Sequence, residues 1–311
     1  MPHLVSLSLE KCTFSPRDLD RLFAFIEDNL KLTRLSLSSL CTSDDDEIDI
    51  AMWTIGCPCV RFGQRNLEAL AAWQRRCLVT SLTLRDWFVE DEDRSSAVEL
   101  LKTIFASSTL EHVSLEMKNF DQYIQAAMFP APLRIQSLEF RFCSLNATTM
   151  AALAMGLRHS NITSLTFDKS NIGFAALQSL LDALLDTNLR RLRLSMASLD
   201  NDACALIAAA LPSLTIVELD LTNNMITDRS AKVLSEVVGR ATSLTSLVLA
   251  ENAIHLEGAT ALVKALSERP QVTTWLDLSW NRIYLDGTDC LDDMVEKTPQ
   301  ILRASFWTVW K

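Results

Sequence analysis

The sequence predicts an α/β solenoid of stacked short repeats, with parallel strands on a concave face and helices on a convex face. Leucine supplies 51 of the 311 residues, and the pattern apolar-x-x-apolar-x-apolar recurs along the whole chain. The last apolar residues of successive copies are Leu9, Leu37, Leu84, Leu115, Phe140, Phe167, Leu194, Leu221, Leu249, Leu278 and Phe306. They lie 28, 47, 31, 25, 27, 27, 27, 28, 29 and 28 residues apart. Spacing this regular indicates one structural unit repeated many times.

Each copy divides into a strand and a helix. The strand is indicated by alternation of apolar and polar residues, the period of a sheet buried on one side. A helical period follows: in the first copy Ser15 is the predicted N-cap and Pro16 opens the helix. One face of that helix is predicted to carry Leu19, Leu22, Phe23 and Ile26. One such unit cannot bury its apolar face alone, so neighbouring units are expected to stack over a continuous core.

The consensus L-x-x-L-x-L-x-x-(N/C)-x-L, with a helix in every repeat, resembles the ribonuclease-inhibitor-like class of leucine-rich repeats. The stretch LTSLVLAENAIHLEGATALVKALSERPQ is especially similar to that class. The resemblance covers nearly the whole chain and implies a right-handed horseshoe of about 10–11 repeats. A single leucine-rich repeat domain is therefore expected over residues 1–311. The resemblance indicates little about function, because the class includes enzyme inhibitors, immune-sensor domains, ubiquitin-ligase adaptors and GTPase activators.

The sequence departs from the repeat pattern in two respects. The interval from Leu37 to Leu84 is 47 residues, so residues 41–66, which include an acidic run, are expected to be an insertion or a degenerate repeat. The ninth motif position, where the class carries a buried asparagine, is asparagine only at Asn224, Asn252 and Asn281. The last repeats are therefore expected to be the most regular.

Four cysteines, Cys41, Cys57, Cys59 and Cys77, lie in or beside the predicted insertion. Four thiolates could bind zinc and stabilise a loop that is poor in apolar residues. The C-x-C spacing is unusual for a zinc chelate, however, and a disulfide is the other alternative. Unrelated reduced thiols are the favoured interpretation, so neither a metal nor a cofactor is expected.

Charge and motifs exclude several function classes. The net charge of −10, from 39 acidic and 29 basic residues, argues against binding to nucleic acid or an anionic membrane. No signal peptide and no membrane-spanning run is recognisable, which predicts a cytoplasmic protein. Phosphate-loop, zinc-protease and nucleophile-elbow motifs are missing, so no enzymatic activity is expected.

The predicted concave face can be described column by column, because equal positions on neighbouring parallel strands lie about 4.8 Å apart. Its charges alternate in sign. Arg85, Glu116, Arg141 and Asp168 form one ladder, while Arg191–Glu218 and Arg193–Asp220 are lateral pairs. Mutual neutralisation on a solvated sheet is the favoured interpretation, with a charged partner site as the alternative.

The C-terminal strands differ, because tryptophans project from them beside polar residues. This composition is typical of an interface anchor, but a solenoid must also cover its open end, so a cap is the favoured interpretation and a partner site the alternative. If the chain is a binding module, the predicted contact residues are Trp275, Trp280, Trp307, Asp277, Asp220, Thr222, Asn223 and Arg193.

The function expected from these observations is a non-catalytic scaffold, present as a monomer or as a segment of a longer array. It would recognise a protein of unknown identity through the concave face and the adjacent loops. The alternative is a GTPase-activating module resembling Ran GTPase-activating proteins. Those proteins carry a long acidic tail, whereas this chain ends in FWTVWK, and their catalytic asparagine and arginine find no matching positions here.

Overall fold

The structure, a computed structural model, describes residues 4–42, 60–117, 120–124 and 128–306. The chain divides into two compact units, Met1–Ser144 with Met155–Ile162 and Leu145–Ala154 with Thr163–Lys311. The expectation of a single domain over residues 1–311 stays a prediction. In the described part of the chain, no helix is both long and apolar enough to cross a membrane.

The first unit alternates strands with helices. Its strands are β1 (Ser6–Glu10), β2 (Thr13–Phe14), β3 (Arg34–Ser38), β4 (Cys41–Thr42), β5 (Val60–Arg61), β6 (Ser81–Phe88), β7 (His112–Met117) and β8 (Ser137–Arg141). Its helices are α1 (Pro16–Asp28), α2 (Gln64–Arg76) and α3 (Arg94–Phe105). Parallel pairing runs in the order β1-β3-β6-β7-β8. Leu35, Leu82, Val113 and Leu138 are register partners and form one buried column.

Helix α4 (Ala147–Leu157) contributes residues to both units. The second unit then repeats the same plan with greater regularity. Its strands are β9 (Ser164–Asp168), β10 (Arg191–Ser195), β11 (Glu218–Asp220), β12 (Ser246–Val248), β13 (Trp275–Asp277) and β14 (Ala304–Ser305). Its helices are α5 (Phe174–Leu184), α6 (Asn201–Ala210), α7 (Asp228–Val238), α8 (Leu256–Ser267) and α9 (Leu285–Glu296). These strands also pair in parallel and in sequence order. The predicted α/β leucine-rich repeat solenoid is thus confirmed.

Buried asparagines join consecutive repeats of the second unit. The Asn252 side-chain amide donates to the carbonyls of Leu221, Leu249 and Ala250 at 3.0–3.1 Å. Its Oδ1 accepts the backbone N–H groups of Asn224 and Ile226, both at 3.1 Å. One side chain therefore satisfies backbone groups that would otherwise be buried without partners where the strand turns into the loop.

The described ends of the predicted insertion are packed into the first unit. Strand β4 pairs with β2, and β5 pairs with the end of β6. Phe62 is fully buried, with its ring centroid 5.3 Å from that of Trp87 and 5.0 Å from that of Phe23. The remainder, residues 43–59, lies outside the described residues. Whether the segment is an insertion or a degenerate repeat stays a prediction.

The structure describes two of the four cysteines in or beside the predicted insertion. Cys41 and Cys77 are both buried, and burial raises the pKa of the Cys77 thiol. Cys57 and Cys59 lie outside the described residues. The interpretation of all four as unrelated thiols therefore stays a prediction.

Candidate functional site

Strands β11, β12 and β13 bring two predicted site residues into one row. Asp220 and Asp277 are both register partners of Val248, which lies between them. The preceding residue on each strand is a buried leucine. Because side chains alternate between the faces of a strand, the row lies on the face opposite the leucine core.

Each of the two aspartates stabilises the turn that follows its own strand. Asp220 Oδ1 accepts the Thr222 backbone N–H at 2.9 Å and the Thr222 hydroxyl at 2.6 Å. Asp277 Oδ1 accepts the Ser279 backbone N–H at 2.9 Å and also the Ser279 hydroxyl. One oxygen of each carboxylate is therefore occupied by the backbone turn, and only the second remains for other partners.

The second oxygens of the two carboxylates differ in their surroundings. Asp220 Oδ2 lies 3.3 Å from Arg193 Nε, which confirms that predicted ion pair. Arg193 Nε also donates to Ser195 Oγ at 3.1 Å. Within the described residues, Asp277 Oδ2 has neither a hydrogen bond nor an ion pair. Of the two, only Asp277 offers an open carboxylate oxygen on this face.

The other predicted lateral pair does not form. Arg191 and Glu218 are register partners, but no ion pair joins them in the described part of the chain. Both side chains are exposed, so water solvates each charge, and an exposed ion pair would contribute only about 0–1 kcal/mol.

The residue in the eighth motif position adopts a left-handed backbone conformation in successive repeats. In the second unit φ is 50° at Met196, 54° at Asn223, 55° at Glu251 and 59° at Trp280. None of these residues is a glycine, so each conformation costs roughly 1–2 kcal/mol. Hydrogen bonds to the next repeat hold the turn: Asn223 N donates to the Ala250 carbonyl and Glu251 N to the Ser279 carbonyl, both at 2.9 Å.

The predicted tryptophans differ in exposure, and Trp280 lies in one of these left-handed turns. Trp280 is 53% exposed, Trp275 on β13 is half-buried, and Trp307 lies outside the described residues. Asn223 donates from Nδ2 to Glu251 Oε2 at 2.6 Å, so two neighbouring turns are also joined through their side chains.

Sequence reasoning missed part of this face. Ser246 and Val248 on β12, and Ala250 just after that strand, occupy the third, fifth and seventh motif positions. Ser246 and Val248 lie between β11 and β13. Glu251 adds an exposed carboxylate beside them. The sequence signal that could have identified them was their place in the repeat. Ser246, Val248 and Glu251 occupy the same motif positions as the predicted Trp275, Asp277 and Trp280.

The corresponding face of the first unit carries a charged cluster of Arg85, Ser114, Glu116, Glu139 and Arg141. Arg85 Nη2 and Ser114 Oγ both bond Glu139 Oε2 at 2.7 Å. Arg141 lies 3.4 Å from Glu139 and 3.6 Å from Glu116. Within the predicted ladder, Glu116 therefore pairs with Arg141, whereas the Arg85 guanidinium reaches past β7 to Glu139 on β8.

Comparisons with known proteins agree with this fold. The Leucine Rich repeat family model matches residues 213–235 and 240–263. NACHT, LRR and PYD domains-containing protein 5 of Bos taurus is 27% identical over 278 residues, which cover 78% of this chain and 23% of that protein. Ribonuclease inhibitor of Sus scrofa is 24% identical over 233 residues, 72% of this chain and 46% of that protein.

A further relative is NACHT, LRR and PYD domains-containing protein 13 of Homo sapiens. It is 27% identical over 71% of this chain and 22% of that protein. A solved structure from Bacteroides fragilis aligns with a TM-score of 0.49 at 12% identity, covering 96% of this chain and 73% of that one. The chain spans less than half the length of each of the three curated relatives.

Proposed function

We propose that this chain, a leucine-rich repeat protein of the ribonuclease-inhibitor-like class, is a non-catalytic scaffold that binds a protein partner. The proposed surface is the exposed face of β11–β13 together with the turns that follow these strands. The observation that supports it most directly is the exposure of Trp280 beside the Asp220–Val248–Asp277 row.

Trp280 combines the two properties of an interface anchor. Its indole offers a large apolar area with few rotatable bonds, and it stands among polar groups that can form a hydrated rim. A residue that caps the solenoid core would instead be covered, because the gain from a cap comes from burying apolar area. The exposure of Trp280 therefore favours a binding surface over a cap.

The remaining predicted residues have complementary roles in this proposal. Trp275 would supply a second aromatic contact, and the neighbouring polar groups would orient the partner. Those polar residues are Asp277, Asp220, Thr222, Asn223 and Arg193, and Trp307 is retained as a proposed member from the sequence. Nucleic acid is not proposed as the partner, because the carboxylates of this row would repel phosphates.

We extend the proposal to the chain's compartment and chemistry. Cys12, Cys77 and Cys204 are free thiols, as is usual in a reducing compartment, which supports a cytoplasmic location. The missing catalytic motifs support a role without enzymatic activity. A monomer, or a segment of a longer array, is the proposed state.

The test compares Trp280→Ala with the wild-type chain and with Phe174→Ala. Phe174 is a suitable control because it is an aromatic residue of the second unit with almost the same exposure, 54% against 53%. Each purified chain is immobilised, its captured proteins are identified by mass spectrometry, and each candidate is then remeasured as a purified binary complex.

The proposal expects at least one binary complex that Phe174→Ala preserves and that Trp280→Ala weakens by about 2 kcal/mol or more. The melting temperature of Trp280→Ala should be unchanged. A melting temperature several degrees lower, with binding intact, would show that Trp280 is a structural lid and would reject the proposed surface.

A further inference from the structure

Building on the proposed function, we propose that this surface receives a cationic side chain, lysine or arginine, from the protein partner. The positive group would lie at Asp277 Oδ2, between the two tryptophans. Its aliphatic stem would lie along the β12 trough, defined as Ser246, Val248 and Ala250. The inference concerns the chemistry of the partner's anchor and not its identity.

The shape of the surface follows from the register of three strands. Ser246 lies between Glu218 and Trp275, and Val248 lies between Asp220 and Asp277. At each level, the side chain on β12 is shorter by at least one bond than those on either side of it. Since the strands are about 4.8 Å apart, the short β12 residues form the floor of a channel one side chain wide. Methyl groups of Val248 and Ala250 make part of that floor apolar.

The charges along this channel have one sign. The exposed positions on β11–β13 and in the turns after β11 and β12 carry Glu218, Asp220, Glu251 and Asp277, and no lysine or arginine. The turn after β13 carries one basic residue, the exposed Arg282, two residues after Trp280. The arginines of the flanking segments lie at the margins: Arg191 and Arg193 on β10, and Arg303 just before β14. The centre of the surface is therefore acidic between two basic margins, an arrangement that complements a single cation inserted at the middle.

Asp277 is the carboxylate best suited to bind that cation. Glu251 shares its Oε2 with Asn223 and is exposed, so water screens its charge. Asp220 already pairs with Arg193 at 3.3 Å. Asp277 is half-buried, and in the described residues its Oδ2 has no partner. A charge-assisted hydrogen bond to such an oxygen is stronger than one to a fully hydrated carboxylate.

The two tryptophans add a reason to expect a cation and not a neutral donor. Trp275 precedes Asp277 by two residues on the same face of β13, and Trp280 follows in the next turn. A cation at Asp277 would thus lie close to two indole rings, whose negative faces attract lysine and arginine. Apolar stems of these side chains pack well on apolar floors while the head group keeps its polar contacts.

The experiment uses small probes that separate charge from shape. Nα-acetyl-arginine amide, Nα-acetyl-lysine amide and the neutral isostere Nα-acetyl-citrulline amide are titrated into the full chain. Binding is followed by NMR through the indole N–H signals of Trp275 and Trp280, which Trp275→Phe and Trp280→Phe assign. We expect saturable shifts with the arginine or the lysine probe, and dissociation constants about tenfold larger for citrulline.

The decisive variant is Asp277→Asn, with Glu236→Gln as the control. Asparagine retains Oδ1, so the hydrogen bonds from Ser279 can persist, while the charge and the anionic Oδ2 are removed. Glu236 is an exposed carboxylate on α7, so its substitution changes the net charge equally at a position outside the β12 trough. Asp277→Asn should weaken the cationic probes about tenfold, and Glu236→Gln should leave their affinity unchanged.

Three results would overturn the inference: no saturable shift with either cationic probe, equal binding of citrulline, or unchanged affinity in Asp277→Asn. Each of these leaves the proposed function intact, because that proposal is tested by the effect of Trp280→Ala on a purified protein complex. Conversely, if Trp280→Ala has no effect on any complex but the probes bind as expected, the cationic subsite stands and the wider surface is rejected.

Discussion

Glu116 on β7 interacts with Asp86 on the adjacent strand β6, where the register of the two strands shifts between Leu84 and Trp87. Asp86 Oδ2 also accepts the Ser39 hydroxyl at 2.5 Å. Burial, and then the hydrogen bond and the negative charge of Asp86, raise the pKa of Glu116 to about 7, although Arg141 and Arg85 oppose the shift. In the folded chain Glu116 therefore keeps its proton up to about pH 7.

This proton predicts a pH dependence of stability. Between pH 4.5, the ordinary pKa of the group, and about 7, the folded chain retains a proton that the unfolded chain releases. The free energy of unfolding should therefore fall as pH rises through this window and level off above it, a change of at most about 3 kcal/mol. Glu116→Gln should remove this contribution.

Urea denaturation at pH 5 and pH 8 checks the prediction, with Glu111→Gln as the control, since Glu111 is exposed on the same repeat. The loss of stability from pH 5 to pH 8 should be smaller in Glu116→Gln than in the wild type and in Glu111→Gln. Identical pH dependence in all three chains would contradict the raised pKa of Glu116.

Asn252→Ala should be strongly destabilising. The substitution leaves the backbone N–H groups of Asn224 and Ile226 without their acceptor and removes one donor from each of three carbonyls. Each unsatisfied buried polar group costs about 1–3 kcal/mol. We expect a loss of about 3 kcal/mol or more in chemical denaturation. Asn161→Ala, at an exposed position, should change stability by no more than about 0.5 kcal/mol. Similar losses in both variants would argue against the bridging role of Asn252.

Gly258→Ala should destabilise the packing of α8 on α7. A Cβ at Gly258 would lie 2.5 Å from Asp228 Oδ1 and 2.9 Å from Asp228 Cα. That carboxylate also accepts the N–H groups of His255 and Gly258 at the start of α8. Overpacking here should cost about 1–3 kcal/mol. Thermal denaturation checks it against Gly239→Ala, where a Cβ meets nothing within 4 Å. Equal melting temperatures of the two variants would show that the structure accommodates the added Cβ without loss of stability.

Trp280→Gly should keep or slightly raise stability. Trp280 has φ 59°, and glycine adopts positive φ without the steric clash of a Cβ. Relief of this clash should stabilise the folded chain by about 1 kcal/mol, which offsets the greater conformational freedom that glycine gives the unfolded chain. Urea denaturation measures the change, with Glu251→Gly, at φ 55°, as the parallel case. A loss of about 3–5 kcal/mol, as for a buried aromatic residue, would instead place Trp280 in a cap.

Much of the architecture could be predicted from the sequence because its causes are local and periodic. Alternation of apolar residues identified the strands whose leucines form the buried columns. Ser15 and Pro16 marked the start of α1, and Ser15 Oγ indeed accepts the Asp18 N–H at 3.2 Å. The asparagine positions were also visible, since a polar residue recurring inside an apolar pattern requires a buried hydrogen-bonding role.

The candidate site depended on distances that no period specifies. Sequence spacing placed Arg85 beside Glu116, but the side chain reaches Glu139 two strands away, because a long flexible guanidinium chooses among all carboxylates within its reach. The left-handed turn at Trp280 likewise contains no glycine that would have indicated it in the sequence. Backbone hydrogen bonds to the next repeat stabilise such turns. The amino-acid pattern therefore determined which residues share the exposed face. Only the tertiary structure decided which charges are neutralised there and that Asp277 keeps an open oxygen, because partner choice depends on side-chain reach, burial and competition among neighbours.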